Sequence, residues 1–187
     1  MDGSVRQLWL LRHAKAASDA PWGGTDRERP LAARGRRDAV ALGTRLAGER
    51  PPLGLDHIPV PELVLCSAAV RTHQTAELMV EAMGGNVPVD SYRSLYEAET
   101  DVVLQYIREI DEEVTSALVV GHNPTMYRLV WELLRSDDTP AADGDRASLE
   151  AHGFPTCALA VLTLDVEAWE DVAHGCGLLA GLFKPPY

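Results

Sequence analysis

Lysine is almost missing from this chain of 187 residues: it occurs only at Lys15 and Lys184, so the positive charge is nearly all arginine. That scarcity reads as compositional bias. The net charge of −11 makes nucleic acid and anionic membranes poor partners. Cysteine is scarce too. Cys66, Cys157 and Cys176 are odd in number and contain no CxxC pair, which argues against a disulfide framework and for three small buried hydrophobes in a reducing cytoplasm. No apolar run approaches the about 20 residues of a membrane span. The start is acidic, and Arg12 interrupts the only early apolar stretch, so no signal-peptide pattern is visible. No GxGxxG or GxxxxGK[ST] follows a strand, which leaves dinucleotide and P-loop chemistry unsupported. No HxH, HExxH or CxxC spacing suggests a metal. No repeat is present.

The chain does hold short apolar runs that alternate with helical patterns. Val5 to Leu11 reads as a first buried strand, ending on Arg12-His13. Ala14 to Pro30, with Pro21, Gly23 and Gly24, reads as a polar surface loop beside a pocket. From Leu31 the spacing of Ala39, Val40, Leu42, Gly43 and Leu46 predicts a helix, stopped by Pro51-Pro52. An extended connection over residues 51–61 follows. Leu63 to Cys66 is a second strand, and Ser67 a candidate N-cap for a helix running to Met83. Gly84-Gly85-Asn86 ends that helix, and Val87 to Val89 form a short strand. Thr100 or Asp101 would cap a helix carrying Val103, Tyr106, Ile107 and Ile110. Ala117 to Val120 is the clearest buried strand. It runs into Gly121-His122-Asn123-Pro124 and a helix with Met126, Leu129, Val130, Leu133 and Leu134. Residues 136–152 read as a surface loop, Cys157 to Leu164 as a strand, and Trp169 to Ala173 as an edge strand. The whole predicts one α/β domain over residues 1–187, a three-layer α/β/α sandwich around a mostly parallel sheet.

Three of these strands end alike: on Arg12-His13, on Cys66-Ser67 leading to Arg71, and on Gly121-His122. Parallel strands would bring the three ends to one sheet edge, where ligands bind in open α/β sheets. Two arginines and two histidines gathered there suit a dianionic phosphoryl group. Arginine donates planar, bidentate hydrogen bonds and keeps its charge. A neutral imidazole can attack phosphorus and carry the phosphoryl group covalently.

Leu11-Arg12-His13-Ala14 resembles the RHG/RHA signature of the histidine phosphatase superfamily, which includes the phosphoglycerate mutases and acid phosphatases. Cys66-Ser67-Ala68-Ala69-Val70-Arg71-Thr72-His73-Gln74-Thr75-Ala76 resembles its SPxxRAxQTA motif, and Gly121-His122-Asn123-Pro124 its GHxP/GHN motif. The motifs follow the family's order, and the similarity spans roughly residues 5 to 165. Arg-His-Ala-Lys in place of Arg-His-Gly-Glu, Arg29-Pro30-Leu31-Ala32-Ala33-Arg34-Gly35 and the lack of a large insertion after the second motif resemble the small SixA-type phosphohistidine phosphatases. Ala14, Ala68 and Thr72 depart from the family's Gly, Pro and Ala, and none of these changes removes a charged residue.

The resemblance implies a phosphoglycerate mutase-like fold and a phosphatase with no cofactor and no catalytic metal. It implies His13 as nucleophile, with Arg12, Arg71 and His122 as phosphate ligands. Larger members take a general acid from the segment before the middle helix, which makes Glu97 the first candidate and Glu99 the second. The implied substrate is a phosphohistidine protein. The alternatives are a small nucleotide or sugar phosphomonoester and, from another class, a phosphate-binding module without turnover. A mutase fits less well, because it favours a closed site. Lys15, Arg29 and Arg34 are left open as substrate contacts. His57, His73, His152 and His174 read as ordinary histidines. Oligomeric state stays open.

Overall fold

The computed structural model describes residues 5–48, 60–135 and 143–187. Six strands form one sheet in the order β3-β2-β4-β1-β5-β6. They are β1 (Arg6–Arg12), β2 (Leu63–Ser67), β3 (Val89–Tyr92), β4 (Ser116–Gly121), β5 (Leu159–Leu164) and β6 (Gly177–Phe183). Pairings β1–β4, β2–β4 and β2–β3 are parallel, whereas β5 runs antiparallel to both β1 and β6. The sheet is therefore mixed, and mostly parallel as expected.

The central strands are buried on both faces, which is why they read as continuous apolar runs. Side chains alternate across the sheet with period two. Leu8 and Leu10 join a core with α3 (Thr100–Arg108), α4 (Thr125–Leu133) and α5 (Asp143–His152). Trp9 and Leu11 join the opposite core with α1 (Ala33–Gly48) and α2 (Val70–Ala82). The result is the three-layer sandwich. The chain leaves β1 toward the α1 face and leaves the adjacent β4 toward the α4 face. Such a divergence opens a crevice at the strands' carboxyl ends.

Five expectations are corrected. The short strand expected at Val87 to Val89 lies at Val89–Tyr92, paired with β2. Residues 143–152, within the predicted loop, form α5: Leu149 is buried against the sheet. Trp169–Asp171 is a 3-10 turn rather than a strand, with Trp169 buried and its indole N–H donating to Val114 O at 2.7 Å. The edge strand is β6 instead. The N-cap of α2 is Ala69, not Ser67, and that of α3 is Glu99, without a side-chain hydrogen bond. The Pro51-Pro52 break, residues 51–59 of the extended connection, residues 136–142 and His57 lie outside the described residues. Among the described residues, no helix is long and apolar enough to cross a membrane.

Candidate active site

Arg12 ends β1 directly opposite Gly121 of β4. His13 N–H then donates to Gly121 O at 3.1 Å, so His13 and His122 leave neighbouring strand ends side by side, with ring centroids 5.1 Å apart. Arg71 enters from the first turn of α2. It is joined to the β1 end through Thr75, whose hydroxyl accepts from Ala14 N–H at 3.0 Å and donates to Arg71 O at 2.6 Å. The structure thus brings Arg12, His13, Arg71 and His122 around one cavity of about 360 Å³. Glu97 and Glu99 line the same cavity, and both are exposed. Glu99 also pairs with Arg128 at 3.1 Å.

The peptide framework under these side chains is tightly tied. Cys157 N–H is shared by Arg12 O and His13 O, each at 3.1 Å, and Arg12 N–H donates to Ala158 O. Cys157 adopts φ +66°, a conformation uncommon outside glycine, and its carbonyl accepts from the Tyr187 hydroxyl. Arg12 Nη1 and Asn123 Nδ2 donate to one acceptor, Phe154 O, at 2.9 and 2.8 Å. Gly35, in the RPLxxRG stretch, has a steric reason to be glycine: an added Cβ would sit 2.1 Å from Lys15 O.

His13 Nδ1 lies 2.8 Å from Ala14 O. A carbonyl only accepts, so Nδ1 carries the proton and a neutral ring keeps its lone pair on Nε2. Burial, followed by Arg71 and Arg12, pushes the His13 pKa down to about 4. Burial and then neighbouring His13 and Arg71 push that of His122 down to about 3, and His122 Nε2 shares a 2.8 Å hydrogen bond with Ser67 Oγ. Both rings are thus neutral at pH 7. Burial also lowers the Arg12 pKa, and Arg12 Nε is buried without a protein partner among the described residues.

Sequence reasoning did not find Asp26. Its carboxylate accepts from Arg71 Nη2 at 2.8 Å, Tyr96 hydroxyl at 2.7 Å and Arg29 Nη1 at 2.5 Å, and its main-chain oxygen accepts from Arg71 Nη1 at 2.7 Å. Tyr96, then Arg29 and Arg71, hold the Asp26 pKa well below the usual carboxylate range. Nothing in the residues 17–28 marks Asp26 over its acidic neighbours Asp19 and Glu28. Thr75, Ser67 and Tyr96 were also missed as site-building residues. Lys15 is exposed and lines no part of the cavity, and Arg34 is an exposed helix residue paired with Asp38. Arg29 instead serves the loop, donating to Ala17 O and Asp26. His73 pairs with Glu77, His174 with Glu132, and His152 bonds Ser148 O. Among the described residues, no group of three His, Cys, Asp or Glu side chains is placed to hold a metal ion.

A cavity whose floor offers two guanidiniums and two neutral imidazoles can capture a tetrahedral oxyanion and attack it from nitrogen. The sequence model of the histidine phosphatase superfamily (branch 1) matches residues 8–117, and the chain belongs to that family. It is an enzyme, a phosphatase. An uncharacterized protein of Mycobacterium tuberculosis, Rv1276c, is 37% identical over 175 residues, covering 94% of this chain and 99% of its own. Among solved structures, the putative phosphohistidine phosphatase SixA from Nakamurella multipartitia superposes with a TM-score of 0.77 at 32% identity, covering 98% of each chain. The protein histidine phosphatase SixA complexed with tungstate gives 0.69 at 27% identity, covering 96% of this chain and 97% of that one. Within the family, the chain falls in the SixA-type branch.

Proposed function

We propose that this protein is a protein phosphohistidine phosphatase that works through a covalent phosphohistidine on His13, with residues 1–187 forming one histidine phosphatase domain of the cytoplasm. The observation that carries this reading is the state of His13: Nδ1 is held by Ala14 O, Nε2 has no hydrogen-bond partner among the described residues, and the ring is neutral beside Arg12, Arg71 and His122. In the first step the Nε2 lone pair attacks phosphorus and the bond to the leaving group breaks. Arg12, Arg71 and His122 hold the equatorial oxygens while charge redistributes. In the second step water attacks phosphorus, the His13 N–P bond breaks, and inorganic phosphate leaves with neutral His13 regenerated. Glu97 is the carboxylate we assign to protonate alcohol leaving groups. A phosphohistidine needs less help, because imidazole has a reference pKa of about 6.5 and leaves readily.

The kinship with SixA-type proteins supports this substrate class, and the capture of tungstate, a tetrahedral oxyanion, by one of them supports phosphoryl binding. The test compares kcat/KM on a phosphohistidine protein with that on a panel of nucleotide and sugar phosphates. Preference for phosphohistidine is the expected result. Preference for a nucleotide or sugar phosphate would replace this reading with a small-molecule phosphomonoesterase.

A further inference from the structure

The cavity is polarised along its depth. Arg71, with a side chain only 8% exposed, and the half-buried Arg12 and His13 form the floor, whereas the Asp26 side chain is 49% exposed. Attack at phosphorus is in line, so the leaving atom lies on the side away from the nucleophile. With His13 on the floor, the leaving group occupies the outer part of the cavity, where Asp26 and Glu97 stand. The site therefore offers guanidiniums to the phosphoryl group and the carboxylates of Asp26 and Glu97 to whatever carries it.

Building on the phosphohistidine reading, we infer that Asp26 is a specificity-determining residue whose carboxylate accepts a hydrogen bond from the distal ring N–H of the leaving imidazole. An ionised carboxylate has about four lone-pair sites. Arg71 and Tyr96 both donate to Oδ2, and Arg29 donates to Oδ1. Oδ1 keeps a site for one more donor. Those same three donors hold Asp26 ionised, so it acts as an acceptor and not as the acid. Its grip on Arg71 uses two of that side chain's five N–H groups, one toward the carboxylate and one toward the main-chain oxygen. Three remain for the phosphoryl oxygens, so substrate binding does not require Asp26 to let go.

In the step this favours, the substrate ring carries a proton on the nitrogen that does not bear phosphorus. His13 Nε2 forms its bond to phosphorus, the substrate N–P bond breaks, and its electron pair stays on the leaving nitrogen. The distal proton stays where it was, and the ring departs as neutral imidazole. No proton donor from the protein is consumed. A phenol or alcohol leaves with negative charge developing on oxygen, and the same carboxylate opposes it.

The test uses the full chain and two probes, a peptide bearing one phosphohistidine and 4-nitrophenyl phosphate, with kcat/KM measured on each. Asp26→Asn removes the charge and keeps an acceptor oxygen. Dividing one rate by the other cancels any loss caused by a disturbed Arg71. The phosphohistidine-to-aryl ratio is expected to fall about tenfold, the loss of one charge-assisted hydrogen bond. Asp26→Ser gives the same readout should Asn perturb folding. A ratio equal to wild type, with both substrates slowed by one factor, would overturn the inference, reduce Asp26 to a positioning residue for Arg71, and leave the proposed function standing. Failure of the wild-type chain on the phosphopeptide, with brisk aryl phosphate turnover, would instead overturn the substrate reading and this inference with it.

Discussion

Floor and mouth of the cavity differ in what holds them. The floor residues Arg12, His13 and His122 directly end or follow two paired strands, and the first turn of α2 delivers Arg71 beside them. The backbone of Arg12, His13 and Arg71 is fixed by Cys157, Ala158 and Thr75, and burial shifts the pKa of both histidines downward. The mouth residues Asp26, Tyr96 and Glu97 come from loops and 3-10 turns, and their side chains keep contact with solvent. A rigid, desolvated floor suits the chemistry common to all substrates, because preorganised donors act strongly where water is excluded. A solvated mouth can vary without harming that chemistry, and in the proposed mechanism it is the part that meets the leaving group.

The contrast fails if floor and mouth substitutions cost the same. The largest expected loss is from His13→Ala, which removes the proposed nucleophile and should lower kcat by ~10⁴-fold or more in steady-state assays. Arg71→Ala comes next, with a loss of ~10²–10³-fold in kcat/KM as one proposed phosphoryl ligand is removed. Retention of near wild-type activity by either variant would remove the floor from the mechanism.

The folded-state pKa of His13 lies at about 4, below its ordinary 6.5, so the neutral form is favoured by folding. The stability this contributes is present above pH 6.5 and is lost as pH falls from there through about 4. NMR titration of the two ring protons should show no midpoint near 6.5 and midpoints near 4 for His13 and 3 for His122. Vanadate binding should raise both. Midpoints near 6.5 in the free protein would contradict a desolvated floor.

Smaller effects sharpen the boundary between the two regions. Thr75→Val leaves the buried Ala14 N–H without its acceptor and should cost about 1–3 kcal/mol in urea unfolding, with kcat lowered more than KM is raised. At the mouth, Glu97→Gln should lower phosphohistidine turnover by about threefold, in the range of an exposed charge, and alkyl phosphate turnover several times more.

The two regions also differ in how far the sequence reveals them. Arg12, His13, Arg71 and His122 were legible because each lies within a few residues of an apolar run, and β pairing then joins the ends in space. Whereas the short β3 lies at Val89–Tyr92 and not at Val87 to Val89, β1, β2, β4 and α1 to α4 were readable for the same reason. Asp26 was not, because its position depends on long-range contacts: Gly35 packing on Lys15, Leu31 N–H on Gln74 at 2.8 Å, and Arg71 reaching back across 45 residues. The antiparallel side was also harder. Gly177 and Gly181 interrupt the apolar pattern of β6, and the Asp-, Ala- and Gly-rich stretch that becomes α5 carries Leu149 as its one large buried apolar residue.

His13 is proposed to carry the phosphoryl group. Phosphohistidine is acid-labile, so the direct measurement is rapid mixing with substrate, quenching under alkaline conditions, and mass spectrometry of the intact chain and its peptides. A transient gain of one phosphoryl group on the peptide containing His13, lost in His13→Ala together with turnover, is the predicted result. Turnover that persists in His13→Ala, with no phosphoryl group found on His13 in the wild-type chain, would contradict it.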